Sequence, residues 1–178
     1  MRIWGVEFGE VRQTDGFTCG PTSVMIAGAL LDPAYAAALD TTATGLALEQ
    51  HRIHRATNMI WPRRLGTTPW GVAAAISRHT AAFGVRYGWR FCGGRGDDLR
   101  DVVAAVDSGW PVALLIGQVV PRHWILLTGY QGAGTLRAYD PASGRAREVG
   151  LDDIRHHRAH PGFPRAFALV LPTRVVSG

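Results

Sequence analysis

Five consecutive apolar residues, Val112 to Ile116, constrain the fold of this chain more than any other stretch. A strand without a polar face must be covered on both sides, as at the centre of a sheet. Several other segments alternate like strands and are separated by turn residues. Further strands are predicted at 3–8, 87–92, 123–130, 135–140, 145–149 and 166–171. We therefore expect a sheet that draws nearly all its strands from the second half of the chain.

Helical patterns fill the first half. Helices are predicted at 20–31, 34–39, 46–58 and 69–83, with shorter ones from Asp97 to about Ser108 and from Leu151. For the helix at 69–83, Thr68 is the expected cap, Pro69 the first residue and Gly84 the stop. Helices followed by antiparallel strands make an α+β fold. With 178 residues, 47% of them apolar, the chain has the size of one domain, 1–178, with its own core.

The helix at 20–31 begins directly after a cysteine. Cys19 is followed by Gly20-Pro21, and proline suits the first turn of a helix because its missing N–H has no partner there anyway. A cysteine at a helix N-terminus faces unpaired N–H groups and the positive end of the helix dipole, which both favour thiolate over thiol. Cys19 is thus a candidate nucleophile. Gln13, six residues upstream across a turn, is a candidate donor to an oxyanion formed beside the sulfur.

A thiol nucleophile needs a base, and His123 is the best placed of the seven histidines. It follows Pro121-Arg122 and opens the predicted strand 123–130, so we expect it at the mouth of the sheet. If the strands 123–130 and 135–140 form a hairpin, the start of the first lies beside the end of the second. Asp140 stands at that end, where it would neighbour His123, fix its tautomer and stabilise its imidazolium.

The net charge of +5 comes from arginine alone, because the chain contains no lysine. The arginines are scattered, with Arg63-Arg64 the only adjacent pair, so we expect no nucleic-acid partner. No apolar run has the length of a membrane span, and Glu7 stands where a signal peptide would need its apolar core. We expect a cytoplasmic protein without a membrane partner, whose Cys19 and Cys92 stay unpaired in a reducing compartment.

Three segments carry specific motifs: Gln13 six residues before Cys19-Gly20-Pro21, His123-Trp124 at a strand start, and Asp140-Pro141 with Gly144 beyond. Together they resemble the papain-like cysteine peptidases of the bacteriocin-processing kind. Those enzymes remove double-glycine leaders and also occur as the N-terminal domain of peptide-exporting ABC transporters. The resemblance covers most of the chain. It implies a papain-like fold, in which an N-terminal helical half carrying the nucleophile packs on a C-terminal antiparallel sheet.

The resemblance also implies a cysteine peptidase that needs no cofactor and no metal ion. Cys19 would be the nucleophile, His123 the general base and acid, and Asp140 the orienter, with Gln13 and the Cys19 N–H as oxyanion hole. The substrate would be a peptide or protein, such as a leader or precursor peptide handled together with a separately encoded exporter or biosynthetic partner. Three alternatives stay open: peptidyl or acyl transfer by the same triad, peptide or partner binding without catalysis, and action as an effector toxin.

Other residues that suggest chemistry have simpler interpretations. Cys92 is expected to be structural, because no histidine is paired with it. The cluster of His156, His157 and His160 lacks an acidic or thiol ligand at metal-binding spacing, so we expect a solvated helix end. A peptide groove is expected between the helical half and the sheet, where tryptophans would supply apolar surface. The candidates to line or buttress that groove are Trp61, Trp70, Trp89 and Trp110.

Overall fold

Six strands form one antiparallel sheet in this structure, a computed structural model that describes residues 2–3, 6–7, 11–57 and 66–173. The strands are β1 (Arg2–Ile3), β2 (Val6–Glu7), β3 (Arg86–Phe91), β4 (Val112–Gly117), β5 (Pro121–Gly132), β6 (Thr135–Asp140), β7 (Arg145–Gly150) and β8 (Arg165–Thr173). The sheet has the spatial order β3-β8-β4-β5-β6-β7. Its strands are confirmed to within two residues of their predicted ends. The strand predicted at 3–8 is instead β1 paired with β2, because an alternating pattern does not reveal a reversal.

Helices pack on both faces of this sheet. The helices of the described ranges are α1 (Cys19–Leu31), α2 (Pro33–Ala38), α3 (Ala43–Thr57), α4 (Pro69–Thr80), α5 (Arg100–Asp107) and α6 (Leu151–Arg155). α1 and α4 contact one face, α5 and α6 contact the other, and α2 and α3 pack against α1. The N-terminal helices thus pack on a C-terminal antiparallel sheet, which confirms the α+β prediction. None of the helices in these ranges is long and apolar enough to cross a membrane.

The sheet separates two apolar cores, and β4 belongs to both. Ala113 and Leu115 lie in the core under α1 and α4, whereas Val112, Leu114 and Ile116 lie in the core under α5 and α6. Every residue of β4 is buried, which confirms the prediction of a central strand covered on both faces. Full burial of a leucine or isoleucine side chain stabilises a fold by about 1.5–3 kcal/mol. The strand therefore anchors both layers of helices.

α1 is the central helix of the first core. All its residues except Leu30 are buried, and it lies between α3, α4 and the sheet. It begins at Cys19, as the following Gly20-Pro21 predicts. At its other end, the Asp32 carboxylate accepts the N–H of Tyr35 at 3.0 Å and caps α2. One residue thus separates the two helices. At the opposite end of the buried α1, Cys19 lies at the edge of the sheet.

Two helices begin three residues from their predicted starts, whereas α1 and α2 begin one residue before theirs. α3 starts three residues earlier, because Thr42 Oγ1 accepts the N–H of Gly45 at 3.1 Å and caps the helix. α5 starts three residues later, at Arg100. Asp97, which was expected to open α5, instead accepts two hydrogen bonds from Arg90, at 2.5 and 3.2 Å. An acidic residue that would suit a helix N-terminus thus pairs with an arginine on a neighbouring strand. The pattern of charges in the sequence does not distinguish these two roles.

β5 and β6 form the predicted hairpin. The turn between them contains Ala133 and Gly134, both with positive φ. The register pairs Leu126 with Tyr139. The start of β5 therefore lies next to the end of β6, and the side chains at these two positions meet at one edge of the sheet.

Candidate active site

Cys19 is the first residue of α1. The N–H groups of a first helical turn have no acceptor inside the helix, so they favour negative charge beside them. Cys19 Sγ lies 4.0 Å from the carbonyl oxygen of Arg122, the residue before His123. The thiol of α1 and the start of β5 are therefore neighbours in space, although more than a hundred residues separate them in the chain.

Close packing fixes the start of α1. A Cβ on Gly20 would lie 2.8 Å from Thr67 Cβ and Oγ1 and 3.1 Å from the ring of Trp124. Trp124 is buried and donates its Nε1–H to the Thr67 carbonyl at 3.0 Å. The segment before α4 and the strand β5 thus approach the helix more closely than any residue with a side chain allows. The glycine after Cys19 is what permits this approach, and the approach positions the thiol.

His123 and Asp140 form a buried hydrogen-bonded pair. Nε2 of His123 lies 2.7 Å from Oδ1 of Asp140, and the two side chains are only 4% and 8% exposed. Asp140 also accepts the N–H of Ala142 at 2.9 Å and the hydroxyl of Ser143 at 3.2 Å, so the turn after β6 holds the carboxylate. Because Nε2 carries the proton that Asp140 accepts, Nδ1 is the ring nitrogen that remains for Cys19.

The pKa values of this pair favour a charged imidazole. Burial lowers the pKa of His123, but the hydrogen bonds with Asp140 and Cys19, and the charges of both partners, raise it to about 9. Burial also raises the pKa of Asp140, yet the hydrogen bonds from His123 and from the Ala142 N–H hold it well below its ordinary value. At neutral pH His123 is therefore an imidazolium beside a carboxylate. A cation beside a cysteine favours the thiolate.

The loop that carries Gln13 is attached to the turn after β6. The Gln13 N–H donates to the Pro141 carbonyl at 2.9 Å, and the Tyr139 hydroxyl donates to the Val11 carbonyl. Gly144 has a φ of +70°, and a Cβ there would lie 2.8 Å from the Val11 oxygen. Only glycine combines this backbone conformation with such a close approach at low cost. The Asp140-Pro141 and Gly144 motif thus supports the Gln13 loop as well as His123.

Gln50, a buried residue of α3, holds the other side of this loop. Its amide accepts the N–H of Thr14 at 3.0 Å and donates to the Arg12 carbonyl at 2.9 Å. Between these anchors, Gln13 Nε2 donates to the Asp15 carbonyl at 2.7 Å. An amide nitrogen carries two hydrogens, so one remains for a second acceptor. The role of Gln13 in an oxyanion hole stays a prediction that this geometry allows.

Two cavities adjoin the site, one lined by Cys19 and the other by His123. The first, about 250 Å³, is mainly apolar, and its lining includes Cys19, Thr67, Trp70, Trp89, Phe91 and Phe167. The second, about 580 Å³, has a lining that includes Gln13, Gly16, Val119, Val120, His123 and Phe163. Arg122 lines both cavities and lies between them. The candidate nucleophile faces one cavity, and the candidate base and oxyanion donor face the other.

Exposed aromatic rings border the apolar cavity. Trp70 and Trp89, two of the predicted groove residues, line it with ring centroids 6.2 Å apart. Phe91 extends this surface, 5.2 Å from Trp89. Its position two residues after Trp89 on β3, and so on the same face, is the sequence signal that identifies it. Trp110 instead packs against both apolar cores, and Trp61 lies outside the described residues.

The expectation of a solvated end for the clustered histidines is wrong for His160. Its side chain is 17% exposed, and Nε2 lies 3.6 Å from Oδ2 of Asp140. The rings of His160 and Phe163 both lie against His123, with centroids 5.8 and 5.2 Å away. The segment between α6 and β8 folds back over the start of β5. Nothing in the spacing of these residues predicts that return, because it depends on the tertiary fold.

The remaining candidates lie apart from the site. Cys92 follows β3, is half-buried, and donates its backbone N–H to the Phe167 carbonyl at 2.9 Å. Burial raises the pKa of its thiol. Both cysteines are free. Among residues 11–57 and 66–173, no group of three or more His, Cys, Asp or Glu side chains is placed to hold a metal ion.

The assembled groups suit nucleophilic chemistry at a carbonyl. A cysteine at a helix start, an imidazolium, a carboxylate and an amide donor can together attack a carbonyl carbon, move a proton and stabilise an oxyanion. A scan against protein-family models matches no family, and a search of curated proteins finds no match.

Proposed function

We propose that this protein is a papain-like cysteine peptidase that cleaves a peptide or amide bond through a thioester acyl-enzyme. The observation that carries the proposal is the buried His123 and Asp140 pair, bonded at 2.7 Å beside a cysteine that begins a helix. A helical layer that carries the thiol and a sheet that carries the base are consistent with a papain-like fold. The motif resemblance to the double-glycine leader peptidases belongs to the same proposal.

In the acylation step, the Cys19 thiolate attacks the carbonyl carbon of the scissile bond. Gln13 Nε2–H and the Cys19 N–H donate to the oxygen as it gains negative charge. The C–N bond then breaks, and the His123 imidazolium gives its Nδ1 proton to the leaving amine. The products of this step are a free amine, a neutral His123 and a thioester between Cys19 and the acyl part of the substrate.

In the deacylation step, neutral His123 takes a proton from water, and the resulting hydroxide attacks the thioester carbonyl. The C–S bond breaks, which releases a carboxylic acid and restores the thiolate beside the imidazolium. Asp140 stays ionised throughout, because its pKa is well below its ordinary value. It keeps Nε2 protonated, so that Nδ1 alternates between donor and acceptor.

The cavity linings support a substrate with an apolar side chain next to the scissile bond. The cavity that Cys19 lines is bordered by Trp70, Trp89 and Phe91, whose exposed rings would lose contact with water on binding. Burial of such apolar surface contributes about 25 cal/mol per Å². A peptide that crosses Arg122 would place this side chain in the apolar cavity and continue past His123 into the larger one.

Incubation with a library of proteome-derived peptides tests the proposal. Hydroxylamine is included, because it converts any thioester into a peptidyl hydroxamate, whether the natural acceptor is water or an amine. We expect new carboxyl ends and hydroxamates with wild-type protein, enriched for apolar side chains near the cut, and none with Cys19→Ser. Absence of both products with folded wild-type protein, together with retained binding of library peptides, would favour a binding module over an enzyme.

A further inference from the structure

Asp140 has a second histidine neighbour that the proposed mechanism does not use. Nε2 of His160 lies 3.6 Å from Oδ2, whereas His123 bonds Oδ1 of the same carboxylate. One aspartate thus faces two imidazoles, one on each oxygen. Oδ2 also accepts the Ser143 hydroxyl at 3.2 Å, so His160 and Ser143 face the same oxygen. Because this aspartate orients the proposed base, any group that holds Oδ2 also affects the alignment of Oδ1.

The hydrogen bonding of His160 defines which of its nitrogens carries the proton. Nδ1 accepts the N–H of Gly162 at 3.0 Å, so Nδ1 presents a lone pair. In a neutral imidazole the proton is then on Nε2, the nitrogen that faces Asp140. The ring therefore points an N–H group at Oδ2, at a distance slightly longer than a hydrogen bond.

The segment that carries His160 is anchored on both sides of the ring. Nη2 of Arg147, on β7, donates to the carbonyl of Ala159. The N–H of Ala159 in turn donates to the Pro164 carbonyl at 3.0 Å, which closes the loop. Phe163 lies 5.5 Å from the His160 ring and 5.2 Å from the His123 ring, between centroids. These contacts restrict His160 to a position over Asp140.

Burial and two nearby positive charges favour the neutral form of His160. Burial lowers its pKa, and the positive charges of Arg147 on β7 and His123 on β5 lower it further, while Asp140 on β6 raises it. A neutral His160 can donate to the carboxylate without placing a second cation beside the His123 imidazolium. It can therefore orient Asp140 and leave the charge of the catalytic pair unchanged.

We propose that His160 is a positioning residue, which directs Nε2–H at Oδ2 of Asp140 and thereby keeps Oδ1 aligned with His123. This inference rests on the proposed function, because it concerns the same carboxylate. His160 lines neither of the two cavities, although Gly162 and Phe163 of the same segment line the larger one. Its effect on the reaction passes through Asp140 and then through the protonation of His123.

Two substitutions distinguish the contribution of the His160 N–H group from the contribution of its ring. His160→Phe keeps an aromatic ring and removes the N–H, whereas His160→Gln keeps an N–H at similar reach and removes the ring. His156→Phe, at an exposed histidine of the same segment, is the matched control. For each full-length variant we would measure the rate of Cys19 alkylation by iodoacetamide at pH 6, the NMR titration of His123, and the unfolding temperature.

We expect His160→Phe to slow alkylation of Cys19 about fivefold to tenfold, since a contact to a charged carboxylate is lost. The titration midpoint of His123 should fall by about half to one pH unit, because a less well held carboxylate stabilises the imidazolium less. His160→Gln should restore both values, and His156→Phe should leave them unchanged.

A His160→Phe variant with the rate and midpoint of the wild type would overturn the proposal. Equal losses in His160→Phe and His160→Gln would also overturn it, since the side-chain N–H that glutamine keeps would then make no difference. A lowered unfolding temperature with an unchanged His123 midpoint would indicate a structural role only. If Cys19 of the wild type reacts no faster than Cys92, the proposed function itself fails, whatever the His160 variants show.

Discussion

The two cysteines of this chain occupy opposite chemical environments. Cys19 begins a buried helix, lines a cavity and lies beside the His123 imidazolium. Cys92 follows an edge strand, where burial and the negative charge of Asp97 raise the pKa of its thiol, while the N–H of Gly94 only partly opposes them. The chain thus contains one thiol surrounded by groups that stabilise a negative charge and one whose surroundings oppose it.

This difference shows that the environment, and not the residue type, identifies the candidate nucleophile. Cys19 is the less exposed of the two, at 2%. Accessibility alone would therefore favour Cys92. The favourable features at Cys19 come from three parts of the chain: the start of α1, the start of β5 and the end of β6. At Cys92 the nearby charges are the carboxylates of Asp97 and Asp101 and the guanidinium of Arg90, which pairs with both of them.

Removal of each thiol in turn should produce the largest difference between the two cysteines. Cys19→Ser should lower peptide cleavage on the order of 10⁴-fold or more, because a serine hydroxyl beside His123 is a far weaker nucleophile than a thiolate. Cys92→Ser should leave cleavage unchanged. The measurement is the initial rate on a peptide selected from the library. A large loss in Cys92→Ser with intact folding would reverse the assignment.

Gln13→Ala separates stabilisation of an oxyanion from activation of the thiol. Removal of one oxyanion donor is expected to lower the rate constant of cleavage about 10²- to 10³-fold. Alkylation of Cys19 by iodoacetamide forms no oxyanion, so its rate should not change. Thr14→Ala, in the same loop, is the control. If Gln13→Ala slowed both reactions equally, the residue would be supporting the fold of the loop instead.

Asp140→Asn removes the negative charge that stabilises the His123 imidazolium beside Cys19. The asparagine can keep an acceptor for the Ala142 N–H, but it stabilises the imidazolium less. The pKa of His123 should fall from about 9, and alkylation of Cys19 at pH 6 should slow about tenfold to a hundredfold. Asp152→Asn, at an exposed aspartate, should have no effect on either quantity.

The depressed pKa of Asp140 also makes the free energy of unfolding depend on pH. An unfolded aspartate binds its proton near pH 4, whereas folded Asp140, whose pKa is depressed, binds it only at lower pH. The unfolded state therefore carries more protons as the pH falls, and the free energy of unfolding should decrease by about 2–3 kcal/mol between roughly pH 5 and pH 2. Urea denaturation at several pH values measures this, and Asp140→Asn should flatten the dependence.

The smallest expected effect concerns the packing that positions Cys19. Gly20→Ala forces a methyl group against Thr67 and Trp124, and overpacking of this kind costs about 1–3 kcal/mol. Gly16→Ala is the matched control, since a Cβ there meets no atom within 4 Å. Thermal unfolding measures the difference. Equal stability of the two variants would mean that the start of α1 tolerates movement.

The sequence alone predicts the parts of the molecule whose structure depends on local patterns. Pro21 after Cys19 indicates the helix start, the apolar run of β4 indicates a central strand, and the hairpin brings His123 and Asp140 together. The sequence predicts Asp97 at the start of α5, but its carboxylate accepts hydrogen bonds from Arg90 on β3 instead. His160 could not be found from sequence, because its return to Asp140 depends on how the segment after α6 packs over β5.

Mass spectrometry of wild-type protein and His123→Ala after treatment with iodoacetamide at pH 6, with the modified cysteine mapped, tests whether His123 activates Cys19 as a thiolate. At this pH less than about 1% of an ordinary thiol is ionised, so an unactivated cysteine reacts slowly. We predict rapid labelling of Cys19 in the wild type, slow labelling of Cys19 in His123→Ala, and slow labelling of Cys92 in both. Slow and equal labelling of both cysteines in both proteins would contradict an activated thiolate and, with it, the peptidase.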